Sequence, residues 1–411
     1  MLAATPLQAR ERGDLPTPFG QGFYLASESL PQPLPPLLSA PEAEQWLDLI
    51  QQSEWQLGPY GADLSETLLD AANYFHSRGD YRSAIVHWRR AVHLTRVNDG
   101  LYSDLQLPVL RQLLQTYLAM QDYESAHEIQ AYLYHLHKQQ YQLGETAHIK
   151  ATLEYADWLR RRWMREPDKE NLKPLYDIWR LVDKEVEDSE EAPLTVAQLE
   201  PLTYAQLDML YLIGVSDLGM DREAEMLFGR QYGQSQGEIS VERSQLQYLQ
   251  QSAYARGKSR LELLDERLGE DGDPILRAEL QRNLGDWHMW NEYTQRALDS
   301  YQRSWELLAA DATGSLRQQW YQAPLELPAG GVLFPGVLAE EEFSKSALVD
   351  ASFSVTARGQ AKNVESHARD PEREGMAYRV TRWLRNGRFR PRLEDGVAVA
   401  TDGVTREYRV N

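Results

Sequence analysis

The side chains with most potential for chemistry are few, and their spacing works against it. His135-Leu136-His137 comes nearest to a metal motif. Residues two apart on a helix point roughly 200° away from each other, so this pair cannot chelate one ion. Trp287-His288-Met289-Trp290 sets one imidazole among large apolar side chains, a pattern of helix packing rather than haem ligation. Asp271-Gly272-Asp273 lacks the spaced oxygen ligands of a calcium loop, and the acidic run from Glu185 to Glu191 reads as a solvated helix end or loop. The chain has no cysteine, which removes thiol catalysis, disulfides and cysteine-ligated zinc together. It also lacks a Gly-x-Ser-x-Gly elbow, a phosphate-binding loop and a dinucleotide fingerprint. The expectation is a protein that is not an enzyme, with no catalytic, metal or cofactor site. A dispersed catalytic array is the competing possibility, and an inward cluster of His and carboxylates would be its sign.

With chemistry set aside, composition bounds the class. The chain has 411 residues, 42% hydrophobic and 26% charged, a globular composition long enough for two or three domains. Its net charge of −19 disfavours nucleic acid, which needs a basic footprint. No apolar run reaches the roughly 18 residues of a transmembrane helix. The charge is uneven: Arg358 to Asn411 carries a net +4 and the remainder −23, so the tail and the body are expected to meet different partners, or each other.

The chain divides by pattern into five stretches. Residues 1–9 end on a small residue, Ala9, just before charge resumes, and read as the tail of a secretory signal peptide. This places the protein in the periplasm; a true start at Met1 would place it in the cytoplasm. Residues 10–42 form a Pro-rich extension, 43–310 are helical, 311–345 form a linker with Leu-Pro-Ala-Gly-Gly and Phe-Pro-Gly, and 346–411 alternate like strands.

Within the helical stretch the chain repeats itself. Leu68, Ala71, Ala72 and Phe75 precede Gly79-Asp80-Tyr81, Ala84, Trp88 and Ala91. Leu110, Leu113, Leu114 and Tyr117 precede Gln121-Asp122-Tyr123, Ala126, Gln130 and Leu133. A third unit is Leu284-Gly285, Ala297, Tyr301 and Ser304, and weaker copies lie at Gly219 to Ala224 and His148 to Val186. Small residues at these positions let paired helices approach while larger ones fill the groove. The pattern resembles the tetratricopeptide repeat. The first two units are 42 residues apart, and the surplus over the usual repeat of about 34 falls in Thr95 to Gln106, as in the longer repeats of kinesin light chains. The resemblance implies an α-solenoid scaffold whose inward residues bind an extended partner: Asn73 and His76, Arg111 and Gln115, then Arg282, Asn283 and Asp286.

The C-terminal stretch changes period. Ala347 to Ala357 alternates as a half-buried strand, Arg358-Gly359 turns, and Gln360 to His367 can return beside it. Met376, Val380, Trp383 and Leu384 share one face of a helix over Gly375 to Asn386. Phe389 to Leu393, Val397 to Val399 and Val404 to Val410 follow as strands. The order β-β-α-β-β predicts a small α+β domain on a mostly α protein. Gly359-x-Ala361-x-x-Val364, Arg388-Phe389-Arg390-Pro391 and Leu393-Glu-Asp-Gly396 resemble the TonB C-terminal domain. That resemblance implies docking of extended segments by strand addition to a sheet edge. This chain departs from an energy transducer in lacking the N-terminal transmembrane helix and the long Pro-rich spacer. The expected partners are envelope or outer-membrane proteins, with Arg382, Arg385, Arg388, Arg406 and Tyr408 as candidate contacts. The alternative is an envelope structural protein whose terminal domain holds peptidoglycan, or a domain that only caps the array.

Overall fold

The computed structural model describes residues 23–25, 40–165, 173–187, 193–215, 236–327 and 347–410. Residues 1–9, most of 10–42, the copy at Gly219 to Ala224 and the 328–345 part of the linker lie outside them. The architecture is mostly α, in repeated helix pairs, with a small C-terminal α+β domain. The described residues form two compact units, one within Gln32–Trp158 and one from Leu159 onward that includes the strand at 23–25. The helical stretch therefore does not stand as one domain: its later part shares a unit with the terminal domain.

The first unit contains α1 (Ala40–Leu57), α2 (Leu64–Ser77), α3 (Tyr81–Asp99), α4 (Gln106–Ala119), α5 (Tyr123–Gln140) and the first part of α6 (Thr146–Arg165). Its core is the apolar set read from the repeats: Leu68, Ala71, Ala72 and Phe75 meet Ala84, Trp88 and Ala91, continuing through Leu110, Leu113, Tyr117 and Ala126. The turns between paired helices repeat atom for atom. Gly79 and Gln121 have positive φ, at 82° and 58°. The amides of Asp80 and Asp122 reach back to the carbonyls of Phe75 and Tyr117, both at 2.9 Å. The carboxylates of Asp80 and Asp122 then accept from the amides of Ser83 (3.2 Å) and Ser125 (3.1 Å) and cap the next helix. One left-handed residue thus closes the first helix and one aspartate opens the second.

The second unit continues with α7 (Lys173–Glu187), α8 (Val196–Val215), α9 (Gln236–Leu268), α10 (Pro274–Trp290), α11 (Thr294–Leu307) and α12 (Ser315–Tyr321). The same turn joins α10 to α11: Glu292 has φ 69° and the Tyr293 amide reaches the His288 carbonyl at 2.9 Å. Tyr293 replaces the capping aspartate and makes no side-chain cap. Gly285 is obligatory here, because a Cβ would lie 2.4 Å from the Tyr301 ring. Glu185 corrects the reading of the acidic run as solvated: it lies in α7, is buried and has polar partners.

The expected linker also begins differently. Its described part, 311–327, holds α12 and a short strand, β2 (Leu325–Glu326), which pairs antiparallel with β5 (Phe389–Arg390). The terminal domain itself follows the expected order. Its strands and helix are β3 (Ala347–Val355), β4 (Ala361–Ala368), α13 (Glu374–Asn386), β5, β6 (Arg392–Glu394), β7 (Val397–Val399) and β8 (Thr401–Val410). On β3, Ala347 is buried, and Val349, Ala351, Phe353 and Val355 point into a core shared with Val380 and Leu384 of α13. Gly359 has φ 71° and its carbonyl accepts from the Phe389 amide at 2.9 Å, so the β3–β4 turn presses directly onto β5.

The strand order departs from a simple four-strand reading. The sheet runs β1-β8-β3-β4, where β1 is Phe23–Leu25, while β5 pairs with β2 and β6 with β7 in two separate ribbons. The terminal strand is interior over its last residues. Phe23 stands opposite Val410, Tyr24 opposite Arg409 and Leu25 opposite Tyr408, antiparallel.

Candidate functional site

The candidate contact residues separate into exposed and buried groups. On α2, Asn73 is exposed, while His76 is half-buried between the Tyr81 and Trp88 rings, at 5.2 Å from each. Burial lowers the His76 pKa. On α4, Arg111 and Gln115 are exposed. Arg111 is close enough to His137 to depress its pKa, second to burial as a cause. The two histidines of His135-Leu-His137 go separate ways: His135 lies beside Tyr102 and Tyr132, and His137 stacks on Tyr141.

The equivalent face of α10 is closed, which corrects the expectation for Arg282, Asn283 and Asp286. All three are buried. The Arg282 guanidinium donates to Glu279 Oε1 at 2.9 Å and lies 4.1 Å from the Trp320 ring centroid. Asn283 Nδ2 donates to the Tyr204 hydroxyl at 2.7 Å. Asp286 receives a bidentate pair from Arg390, with Nε to Oδ1 at 2.8 Å and Nη2 to Oδ2 at 2.5 Å, and the Tyr301 hydroxyl donates to Oδ1 at 2.9 Å. Arg390 Nη1 also donates to the Trp320 carbonyl at 3.2 Å. Burial opposes the Arg390 charge, and the facing Asp286 carboxylate more than offsets it. This planar, doubly donated pair is the geometry that tolerates removal from water. α12 and β5 therefore occupy the face that a partner would need.

The Trp287–Trp290 motif is packing, as its spacing implied. Trp287 is buried edge-on to Tyr211, and its Nε1 donates to the Tyr254 carbonyl at 3.0 Å. His288 Nδ1 lies 3.1 Å from the Tyr254 hydroxyl, which also accepts from Arg296 at 3.0 Å. Burial, then the nearby cations Arg296 and Lys258, push the His288 pKa down to about 4.

In the terminal domain, Arg382 and Arg385 are exposed on α13. Arg388 is half-buried and forms an ion pair with Glu292 at the α10–α11 turn, so it holds the domain to the last helix pair. Arg406 is half-buried and reaches the Pro324 carbonyl at 3.5 Å. Tyr408 needs correction as a contact candidate: it is fully buried, and its hydroxyl donates to Glu326 Oε2 at 2.6 Å. The poor alternation of β8 hid this, since Tyr408 faces α13 and β2 rather than solvent.

Two groups central to this region were not picked out from the sequence. Arg390 lay inside the Phe-x-Pro signature but carried no spacing signal toward Asp286, 104 positions earlier. Glu326 sits in a stretch read as linker. It is 2% exposed and accepts from both Tyr408 and the Trp383 Nε1, the latter at 2.5 Å. Burial raises its pKa to about 7, against the pull of those two hydrogen bonds and of Arg406.

Among the described residues the sheet has two unpaired edges, the outer side of β4 and part of β8. Phe23–Leu25 covers the last three positions of β8, and among the described residues no strand pairs with the same side of Thr401 to Glu407. No cluster of His, Asp or Glu among the described residues is arranged to hold a metal ion. No helix among them is long and apolar enough to cross a membrane. No protein-family model matches the chain, and no curated protein matches it.

Proposed function

We propose that this protein is a non-enzymatic adaptor of the bacterial envelope. In this reading tetratricopeptide-like helix pairs hold one partner, and a TonB-like terminal domain docks an extended segment of another, a periplasmic protein, along β8. The observation that carries the reading is the antiparallel pairing of Phe23–Leu25 with Tyr408–Val410. A segment distant in sequence already adds to this edge as a strand, and among the described residues no strand pairs with the neighbouring stretch of the same edge. Unpaired backbone groups on an edge give affinity that tolerates many partner sequences. On the helix pairs, Asn73, Arg111 and Gln115 are the contacts that fit the first role, since the face around Asp286 is closed.

The test uses the absence of native cysteine. A single cysteine at Thr405→Cys, carrying a photo-activated cross-linker, should trap a partner in cell envelopes. A synthetic peptide of the trapped segment should compete for it. Trapping no stronger than from Asp177→Cys, an exposed position on α7, would reject the strand-docking role.

A second reading has its own observation: the exposed Arg382 and Arg385 offer cations to an anionic polymer such as peptidoglycan. Co-sedimentation with purified sacculi that is lost in Arg382→Glu/Arg385→Glu, with cross-linking at position 405 unchanged, would favour it.

A further inference from the structure

The surplus residues between the first two helix pairs build a second kind of surface. Gly100 to Leu105 forms the connection from α3 to α4, and it turns apolar side chains outward: Leu101, Tyr102 and Leu105 are 56%, 43% and 60% exposed. Tyr60, on the preceding α1–α2 connection, is 60% exposed beside His93. Isolated exposed apolar residues need no explanation, but this group lies on a backbone that the chain holds with care.

Gln106 is fully buried beneath the loop. Its Nε2 donates to the carbonyls of Leu101 (2.9 Å) and Ser103 (3.2 Å). Its Oε1 accepts from Arg96 Nε at 2.9 Å and the Tyr132 hydroxyl at 3.0 Å, with Arg96 stacked 4.4 Å above the Tyr132 ring. From α5, Gln140 Nε2 donates to the Tyr102 carbonyl at 2.6 Å. Asn98 Nδ2 donates to the Tyr60 carbonyl at 3.2 Å and so joins the two connections. A connection that needed only to span two helices would not require two amide side chains to fix its carbonyls and a third to fix the connection before it. Fixing them removes the ordering cost that a partner would otherwise meet.

The same bonds constrain what can bind. The carbonyls of Tyr60, Leu101, Tyr102 and Ser103 already accept hydrogen bonds, so the loop offers few backbone acceptors and cannot serve as a strand edge. Recognition must run through side chains, which favours the apolar face of a helix. Exposed carboxylates flank these connections in the chain, Asp63 after Tyr60 and Asp99 and Asp104 on either side of Leu101 and Tyr102, while the one arginine of the network, Arg96, is held on Gln106 and Tyr132. With a whole-chain charge of −19, these carboxylates oppose a second copy of this chain and favour a basic partner.

We infer that the Tyr60–Leu101–Tyr102–Leu105 ridge is a docking surface for a basic amphipathic helix of a partner protein. This surface is separate from the β8 edge, and its test does not depend on that edge.

The probe is a fluorescent Leu/Lys amphipathic peptide of about 18 residues, five turns of helix. A Leu/Glu peptide with the same apolar face is the control. Anisotropy titrations on the full chain should show binding of the Lys peptide, weakening with salt, and none of the Glu peptide. The triple variant Leu101→Ser/Tyr102→Ser/Leu105→Ser changes only exposed side chains, and unchanged circular dichroism would verify its fold. It should bind the Lys peptide at least about tenfold more weakly. Gln140→Ala keeps the apolar side chains but releases the Tyr102 carbonyl, and should cost about threefold. Equal binding by the triple variant would overturn the proposal, because charge alone would then explain the affinity. Equal binding of the two peptides would overturn the basic partner. A concentration-dependent dimer in sedimentation that the triple variant abolishes would replace the partner helix with a second copy.

Discussion

The α2–α3 pair and the α10–α11 pair use the same turn, the same small-residue positions and a large aromatic at the same place in the groove, Trp88 or Tyr301, yet their inner faces have opposite fates. At corresponding positions, Asn73 is exposed while Asp286 is locked in an ion pair with Arg390. Nothing about a short polar side chain on an inner helix face distinguishes the two cases. The difference lies in what arrives later: α12 and β5 settle on α10, and among the described residues no segment of the first unit covers Asn73 in the same way. A repeat position is therefore a place, and its role depends on its covering.

The sharpest way to break this comparison is to remove one partner of the buried pair. Asp286→Ala leaves Arg390 charged and unpaired in the interior, and should cost about 3–5 kcal/mol in chemical denaturation. Asp286→Ala/Arg390→Met should recover much of that loss, whereas Asn73→Ala at the matching position should change stability by less than about 0.5 kcal/mol. A small effect of Asp286→Ala would mean that the α10 face is open in solution and available to a partner.

The next effect concerns the same covering segment. Glu326 has its pKa raised in the folded state to about 7, from an ordinary value of 4.5, by burial. Below the ordinary value the carboxyl is protonated in both states and burial costs no charge. As pH rises toward 7 the unfolded state releases its proton first, and stability is lost progressively. Above that the loss is complete, on the order of 3 kcal/mol. Denaturation midpoints at pH 5 and pH 8 should differ in this sense, and Glu326→Gln should flatten the difference. An unchanged slope in Glu326→Gln would show that β2 does not seal the carboxyl from water.

The smallest effect tests the turn that the pairs share. Asp80→Ala and Asp122→Ala each remove a helix cap and should cost about 1 kcal/mol by thermal unfolding. The α10–α11 pair, whose turn has Tyr293 at this position and makes no cap, has no such contribution to lose.

Much of this architecture is legible in the sequence. The apolar positions Leu68, Ala71, Ala72 and Phe75 lie in the core as their three-and-four spacing requires. β3 buries every odd residue from Ala347 to Val355, and α13 begins one residue before its expected start. These succeed because burial along one element follows a local period. The candidate contacts fared less evenly. Arg111, Gln115, Arg382 and Arg385 are exposed, while Arg282, Asn283, Asp286 and Tyr408 are interior. The acidic run failed at Glu185, since a charge run looks solvated until its partners are known.

The amino-acid pattern alone determined the helix pairs, the alternation of β3 and the change of class at the C-terminus. All of these arise from interactions within a few residues. Tertiary structure alone decided that Phe23–Leu25 adds to β8, that Glu326 is drawn beneath α13, and that Arg390 closes over Asp286. Each of those joins groups tens to hundreds of positions apart. At that separation no periodicity connects the partners, and the outcome is set by which faces still have apolar surface and unpaired polar groups to cover.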